Sequence, residues 1–246
     1  MKRAWWLIGI FMIGSLGWWW YRMDAGRRIP EVVRSGVGAE CRQLIVVRAR
    51  EMNAPGAEVW LLEREAEGGR WRVAEGPWEA VVGRNGAGWG LGEPPLPNPG
   101  GYPAKMEGDG RSPAGVFQIP FAFGNSLKGS AAVTLLPWLE CTPTLRGVDD
   151  AKSKYYNQIV DEDRITDKDW DSAEVMRRED GLYAMGLMID HNPRGKPGGG
   201  SCIFLHIWKG PEQGTAGCTA LAAEHVARIL AWLDPARSPR LVLGVR

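Results

Sequence analysis

Residues 200–208 read Gly-Ser-Cys-Ile-Phe-Leu-His-Ile-Trp, and after a short polar loop residues 215–218 read Thr-Ala-Gly-Cys. The first segment is apolar and predicts a β-strand. Side-chain alternation along that strand would place four residues on one face: Cys202, Phe204, His206 and Trp208. The second segment would bring the chain back and place a cysteine, Cys218, close to His206.

Short β-type runs, separated by Gly, Asn and Pro, occupy much of the remaining chain. We expect strands at 43–48, 57–63, 70–73, 78–82 and 184–189, and a loop at 108–115 that runs into another strand. Apolar residues at helical spacing predict one helix over 222–233, and an N-cap serine predicts a short helix at 172–176. The predicted fold class is therefore mainly β, a β-rich α+β domain with short helices.

The beginning of the chain has the pattern of a membrane anchor. Eighteen uncharged residues, Ala4 to Tyr21, lie between basic residues, and aromatic residues gather at both ends of this run, where they prefer the membrane interface. We predict an N-terminal transmembrane helix that acts as an uncleaved signal anchor over 1–23, with a cleaved signal peptide as the alternative. A polar tether follows over 24–40, and the domain occupies 41–246.

Composition limits the partners that this chain can have. The formal net charge is only +1, and the sequence contains no basic stripe interleaved with aromatic residues. Nucleic acid is therefore not an expected partner. The membrane is expected to be contacted through the N-terminal helix.

The four cysteines of the chain are widely separated and form no Cys-x-x-Cys pair. A zinc site built from His206, Cys218 and either Cys202 or His191 would match no usual ligand spacing, so we expect neither a metal nor another cofactor. In an oxidising compartment, one disulfide and a free nucleophile are a natural arrangement. If Cys218 stays reduced, Cys141–Cys202 is the preferred disulfide and the fourth cysteine is unpaired, although sequence alone does not fix the connectivity.

Cys218 and His206 are the residue types from which a thiol nucleophile is built. Because Cys218 precedes the predicted helix, the positive end of the helix dipole is expected to favour its thiolate. The His206 imidazole would act as the base and later protonate a leaving amine, with a backbone carbonyl to orient its ring. The amides of Gly217 and Cys218 are the expected oxyanion donors. The alternative is that Cys218 is a small buried apolar residue and His206 a core histidine.

These residues resemble the catalytic domain of the L,D-transpeptidases, also known as the YkuD domain. The resemblance rests on Gly-Asp-Gly-Arg-Ser-Pro-Ala-Gly-Val-Phe at 108–117, on His206, and on Thr-Ala-Gly-Cys at 215–218, which together extend over about half of the chain. It implies a sandwich of mixed sheets with short helices. By position, it makes Cys218 the nucleophile, His206 the base, and Gly217 an oxyanion donor. The residues that it places near the substrate are Arg111, Ser112, Thr215 and Ala216.

The resemblance also implies the chemistry. The thiolate would attack the carbonyl between the L-centre of a diaminoacyl residue and a terminal D-amino acid in a peptidoglycan stem peptide. A side-chain amine from a second stem would resolve the acyl-enzyme and form a cross-link. Such an enzyme would work in the cell envelope, on the periplasmic side of the cytoplasmic membrane, or would be secreted if the signal is cleaved.

The chain departs from the family pattern at two positions. Ala216 replaces the histidine of Ser-His-Gly-Cys, and Ala220 stands where the family usually has an arginine. Arg111 or Arg194 could supply the missing cation from another loop. Two other functions stay open: a hydrolase that uses water as the acceptor, and a catalytically idle wall-binding module that would use tryptophan-rich loops.

Overall fold

The computed structural model describes residues 25–125 and 134–245. Within these ranges the chain is mainly β, with fourteen strands in two mixed or antiparallel sheets and only short helices. This confirms the mainly β character of the predicted fold class. The predicted anchor at 1–23 lies outside the described residues, and in the part that is described no helix is both long enough and apolar enough to cross a bilayer.

The strands are β1 (Gln43–Ala49), β2 (Gly56–Glu63), β3 (Arg72–Val81), β4 (Ala87–Trp89), β5 (Ser112–Gln118), β6 (Ala122–Gly124), β7 (Trp138–Glu140), β8 (Leu145–Val148), β9 (Ile159–Asp161), β10 (Ala173–Val175), β11 (Met185–Met188), β12 (Phe204–Ile207), β13 (Thr219–Leu221) and β14 (Arg240–Val245). The helices are α1 (Glu31–Arg34) and α2 (Ala223–Trp232), with 3-10 turns at Ala25–Arg28, Glu162–Arg164 and Pro235–Arg237.

Eleven strands form one sheet in the order β4-β5-β14-β1-β2-β3-β13-β12-β11-β6-β7. Four neighbouring pairs run parallel, namely β4 with β5, β1 with β14, β12 with β13, and β6 with β7, so the sheet is mixed. A second sheet has the order β10-β8-β9. Its β10 brings a further segment of the chain, 173–183, towards the ends of β12 and β13.

The β12 strand separates two apolar clusters by side-chain alternation. Ile203 and Leu205 belong to the main core, whereas Cys202, Phe204 and Cys218 belong to a smaller cluster on the other face. This confirms the predicted alternation, because successive side chains of a strand point to opposite faces. Only the beginning of the predicted strand differs, since Cys202 adopts a left-handed backbone conformation with φ of 50°.

Two predictions of secondary structure are corrected, and a third is confirmed. The two predicted strands at 70–73 and 78–82 are parts of one strand, β3. The predicted helix at 172–176 is wrong, because this segment forms β10 and pairs with β8 through Ala173 and Val148. The predicted C-terminal helix is confirmed as α2, whose N-cap is Ala222.

Residues 25–40, which we expected to form a tether, pack against the large sheet. Ala25 and Val33 are fully buried in the main core. The Arg64 guanidinium donates hydrogen bonds to the carbonyl oxygens of Gly38 and Cys41, both at 2.6 Å. Residues of the expected tether therefore belong to the packed domain.

Candidate active site

The candidate site lies where β12 and β13 run side by side. Their parallel register pairs Leu205 with Thr219, which places Cys218, the residue before β13, beside the start of β12. The Phe204 N–H donates to Cys218 Sγ at 3.4 Å. Cys218 and His206 are each only 6% exposed, and both line one cleft of about 380 Å³. The pairing of these two strands therefore brings Cys218 and His206 to one place, as the sequence predicted.

The backbone carbonyl of the next residue holds the His206 ring. Its Nδ1 lies 2.7 Å from the carbonyl oxygen of Ile207. Because a carbonyl oxygen can only accept, Nδ1 carries the proton and Nε2 keeps its lone pair. The Tyr183 ring packs edge-on against the imidazole, with 5.1 Å between ring centroids. A backbone carbonyl thus orients the ring, as expected from the lack of an acidic third residue in the sequence.

Burial keeps both reacting groups neutral in the free protein. It lowers the pKa of His206 to about 4, so the imidazole is an unprotonated base at neutral pH. Burial and, after it, the Glu174 carboxylate raise the pKa of the Cys218 thiol to about 12, although the Phe204 N–H opposes this shift. Cys218 is therefore a protonated thiol in the resting protein.

The expectation that a helix dipole favours the thiolate is wrong. Cys218 leads directly into the strand β13, and α2 begins only at Ala223. The sequence placed the helix correctly but missed the short strand in front of it. Because the dipole effect falls off within about one helical turn, it gives Cys218 no support.

Two hydroxyl groups hold the loop that presents Cys218. The Thr215 hydroxyl donates to the Cys218 carbonyl at 2.6 Å and accepts from the Gly217 N–H at 3.1 Å. The Gly217 amide is therefore already bonded, which corrects its expected role as an oxyanion donor. The Ser112 hydroxyl, which is fully buried, lies 2.7 Å from the Gly217 carbonyl oxygen. Ser112 thus supports the loop and does not line the cleft as a substrate contact would.

Cys218 also lines a second, smaller pocket of about 180 Å³. Cys218, Ala216 and Glu174 line both the cleft and this pocket. Thr215 lines the cleft, so the expected contacts at 215 and 216 do face open space. The two pockets therefore share Cys218, which is itself only 6% exposed.

Neither arginine that was expected to supply a cation reaches the site. The Arg111 guanidinium donates to the carbonyl oxygens of Met52 and Ala87, and Arg194 forms an ion pair with Glu93 at 3.1 Å. The cleft instead contains Arg178, a residue that the sequence analysis did not single out. Its Nε lies 2.9 Å from a carboxylate oxygen of Asp180.

Three further residues of the site were also missed: Glu174, Tyr183 and Lys105. Glu174 and Tyr183 come from the segment that β10 brings across, and they are joined by a hydrogen bond of 2.6 Å from the Tyr183 hydroxyl. Lys105 is buried and forms an ion pair with Asp109 at 2.7 Å. No local pattern in the sequence marks these residues, because only tertiary pairing places them next to Cys218.

The expected Cys141–Cys202 disulfide is absent, and all four cysteines are free buried thiols. The Cys202 N–H donates to Asn157 Oδ1 at 2.9 Å, and its thiol faces the Val148 carbonyl at 3.8 Å. The Cys141 backbone is bonded separately, to the Gly124 carbonyl at 2.7 Å. Each cysteine is thus fixed by its own strand contacts, and both pack as apolar residues of the smaller cluster.

His191, the alternative zinc ligand of the sequence analysis, is 1% exposed and serves the fold. Its Nδ1 accepts from the Leu91 N–H at 3.2 Å, and its Nε2 lies 2.9 Å from the Gly199 carbonyl oxygen. Both ring nitrogens are therefore occupied. Across residues 25–125 and 134–245, no group of three or more His, Cys, Asp or Glu side chains could hold a metal ion.

No model of a known protein family matches this chain, and no curated protein and no solved structure shows significant similarity to it. The site itself offers a buried thiol, a neutral imidazole with a free Nε2, and two pockets that Cys218 lines.

Proposed function

We propose that this chain is a cysteine acyltransferase of the L,D-transpeptidase type, acting on peptidoglycan stem peptides through a thioester acyl-enzyme. The observation that carries the proposal is the placement of Cys218 and His206 in one cleft, with His206 Nδ1 committed to the Ile207 carbonyl and Nε2 left as a base. The mixed sheet with few helices agrees with the L,D-transpeptidase-like sandwich that the sequence resemblance implies.

In the proposed acylation step, His206 Nε2 takes the thiol proton while Cys218 Sγ attacks the carbonyl carbon of the stem peptide. The Cys218 N–H is the expected donor to the oxyanion that forms. The intermediate then collapses: the peptide C–N bond breaks, the departing amine takes the proton from His206, and a thioester remains. Because the resting thiol is protonated, transfer of its proton to His206 belongs to this step.

In the second step, the amine of another stem attacks the thioester carbonyl. His206 Nε2 accepts the proton that this amine loses, a new amide forms, and the proton returns to Cys218 Sγ as the thiolate leaves. Water in place of the amine would release a free carboxylic acid and make the protein a hydrolase. The two pockets that Cys218 lines suit a reaction with two successive substrates.

The proposal includes the place of work. The uncharged run between basic residues at the start of the chain supports an anchor in the cytoplasmic membrane, with the domain outside it in the envelope, or secretion if the signal is cleaved. Peptidoglycan lies on that side of the membrane.

A catalytically idle wall-binding module is the second candidate function. The observation in its favour is the buried Cys218 thiol, whose pKa of about 12 leaves almost no thiolate at neutral pH. In that case the cleft would recognise a wall peptide without cutting it.

Intact-mass measurement of the full chain after exposure to a carbapenem, a β-lactam acyl donor, tests the proposal. We expect one covalent adduct, which is lost in Cys218→Ala, slowed in His206→Ala and retained in the control Cys141→Ala. Incubation with stem tetrapeptides then separates a cross-linked product from a hydrolysed one. A folded wild-type protein that gains no adduct and changes no stem peptide would contradict the proposal and favour the binding module.

A further inference from the structure

Glu174 lies at the junction of the two pockets that meet at Cys218. Its carboxylate accepts a hydrogen bond from the Tyr183 hydroxyl at 2.6 Å, and Tyr183 in turn packs against His206. The residue lines the cleft and the smaller pocket alike. A carboxylate fixed by Tyr183 therefore lines the same two pockets as the Cys218 thiol.

The cations near Glu174, Arg178 and Lys105, form their ion pairs with other carboxylates. Arg178 is held by Asp180, and its guanidinium lies over the Tyr183 ring, 5.1 Å from the centroid. Lys105 is neutralised by Asp109. Among the described residues, Glu174 forms no ion pair. Burial raises the pKa of the Glu174 carboxyl, as do the Asp149 and Glu107 carboxylates, and the attraction of Arg178 opposes this shift without forming an ion pair.

The smaller pocket carries an excess of negative charge. Three carboxylates line it: Glu107, Asp149 and Glu174. The lining cations are Arg84 and Lys105, and the charge of Lys105 is balanced by its ion pair with Asp109. Asp149 Oδ1 is buried and has no hydrogen-bond partner in the described part of the chain. Glu107, in contrast, accepts from the hydroxyls of Tyr156 and Ser201, both at 2.6 Å. Glu174 and Asp149 thus both line this pocket, and one buried oxygen of Asp149 lacks a donor.

A buried carboxylate without an ion pair and a buried acceptor without a hydrogen bond both lower the stability of the folded protein. A cation with several N–H donors would pair with the carboxylate and also donate to the acceptor. A primary ammonium has three such donors and is small enough for a pocket of this size. We propose that Glu174 is the docking point for a primary ammonium group of the substrate, and that the arrival of this cation makes Cys218 a competent nucleophile.

The second half of the proposal follows from electrostatics. A carboxylate next to a thiol disfavours the thiolate, and a cation bound to that carboxylate removes the effect. In the free protein Glu174 is the largest charged contribution that holds the Cys218 pKa high, while Lys105 and Arg178 oppose it. The charged and titratable groups that line the two pockets around Glu174 and Cys218 are Arg84, Lys105, Glu107, Asp149, Arg178, Tyr183, Cys202, His206 and Lys209. The thiol would thus react more slowly until a cationic substrate is bound.

This inference rests on the proposed function only for the identity of the substrate, a stem peptide with a side-chain ammonium. The effect of the ammonium on Cys218 can be measured without acyl transfer. Iodoacetamide, a neutral reagent, alkylates the thiolate with loss of iodide, and peptide mass mapping follows Cys218 separately from the other three cysteines. The probe is ethylammonium chloride, and tetramethylammonium chloride is the control because it carries the same charge without N–H donors.

In the full-length wild-type protein at pH 8, we expect ethylammonium to accelerate alkylation of Cys218 severalfold and tetramethylammonium to have little effect. In Glu174→Gln we expect alkylation without any ammonium to be about tenfold faster, which corresponds to about one pKa unit. Ethylammonium should no longer accelerate it. Tyr183→Phe keeps the ring against His206 but releases the Glu174 carboxylate, so the ammonium effect should fall. Glu67→Gln, at an exposed position, should behave as the wild type.

No acceleration by ethylammonium in the wild type would overturn the inference, as would equal acceleration by tetramethylammonium. If Glu174→Gln does not fold, an unchanged ammonium effect in a folded Tyr183→Phe also overturns it. Acceleration by ethylammonium in a protein that neither a carbapenem nor a stem peptide acylates would leave the inference standing and remove the proposed function. Acylation without an ammonium effect would support the proposed function and overturn the inference.

Discussion

The Ser112 hydroxyl lies 2.7 Å from the carbonyl oxygen of Gly217, a residue 105 positions further along the chain. The same hydroxyl is 3.0 Å from the Cys218 carbonyl oxygen and accepts from the Gly83 N–H at 2.9 Å. One fully buried side chain therefore fixes the backbone on both sides of the bond that joins Gly217 to the nucleophile. Ser112, the first residue of β5, therefore supports the backbone that presents Cys218.

Ser112→Ala is expected to destabilise the protein by about 1–3 kcal/mol, because it leaves buried backbone groups without their partner. It should also slow acylation of Cys218 by a carbapenem, since the loop loses its support. Urea unfolding and the rate of adduct formation measure the two effects. Ser172→Ala, at an exposed position, is the matched control. An unchanged acylation rate in a destabilised Ser112→Ala would limit the role of this hydroxyl to the fold.

Much of this arrangement could be predicted from the sequence. Alternation along 202–208 was enough to place His206 and Phe204 on one face, because a strand repeats every two residues. Helical spacing was enough to locate α2. Both patterns are local, and the packing of the sheet did not change them.

What the sequence did not reveal depends on contacts between distant segments. Glu174 and Tyr183 reach Cys218 only because β10 pairs with β8 and returns the chain to the cleft. The three-residue strand β13 is too short for its period to show, so Cys218 was expected to precede a helix directly. The expected direction of its pKa shift was therefore wrong as well. Burial and Glu174 raise the pKa of the thiol, and no helix dipole lowers it.

Alkylation of Cys218 should keep rising with pH far beyond the range of an ordinary thiol. Burial raises the pKa of this group to about 12, so the rate with iodoacetamide should increase about tenfold for each pH unit between pH 7 and pH 10. Peptide mass mapping at a series of pH values gives the profile for Cys218 alone. A plateau near pH 8.5 would show that the thiol is exposed or that a nearby cation stabilises its thiolate in the free protein.

Stability should fall as the pH drops below neutral, because His191 and His206 are buried as neutral rings. Burial lowers the pKa of each to about 4, while an unfolded histidine titrates near 6.5. Between these values the unfolded state binds more protons, so the free energy of unfolding is highest above pH 6.5 and declines as the pH falls towards 4.

Each of these two histidines contributes a slope of up to about 1.4 kcal/mol per pH unit within that window. Urea unfolding between pH 4.5 and pH 7.5 measures it. In His206→Asn the slope over this range should be reduced, although the variant is less stable overall. If the wild type and this variant show the same slope, His206 is not buried in its neutral form.

The packing of the segment before β1 predicts where the folded unit begins. Val33 is fully buried against β14 and β5, so Val33→Ala should lower the free energy of unfolding by about 1–3 kcal/mol. Val175→Ala is the control, because Val175 is 46% exposed and its truncation should change stability by less than about 0.5 kcal/mol. A chain that begins at residue 25 should keep the stability of the packed domain, and one that begins at residue 41 should lose part of it. Equal urea midpoints for these two truncated chains would show that residues 25–40 add nothing to the fold and that they act as the tether that the sequence suggested.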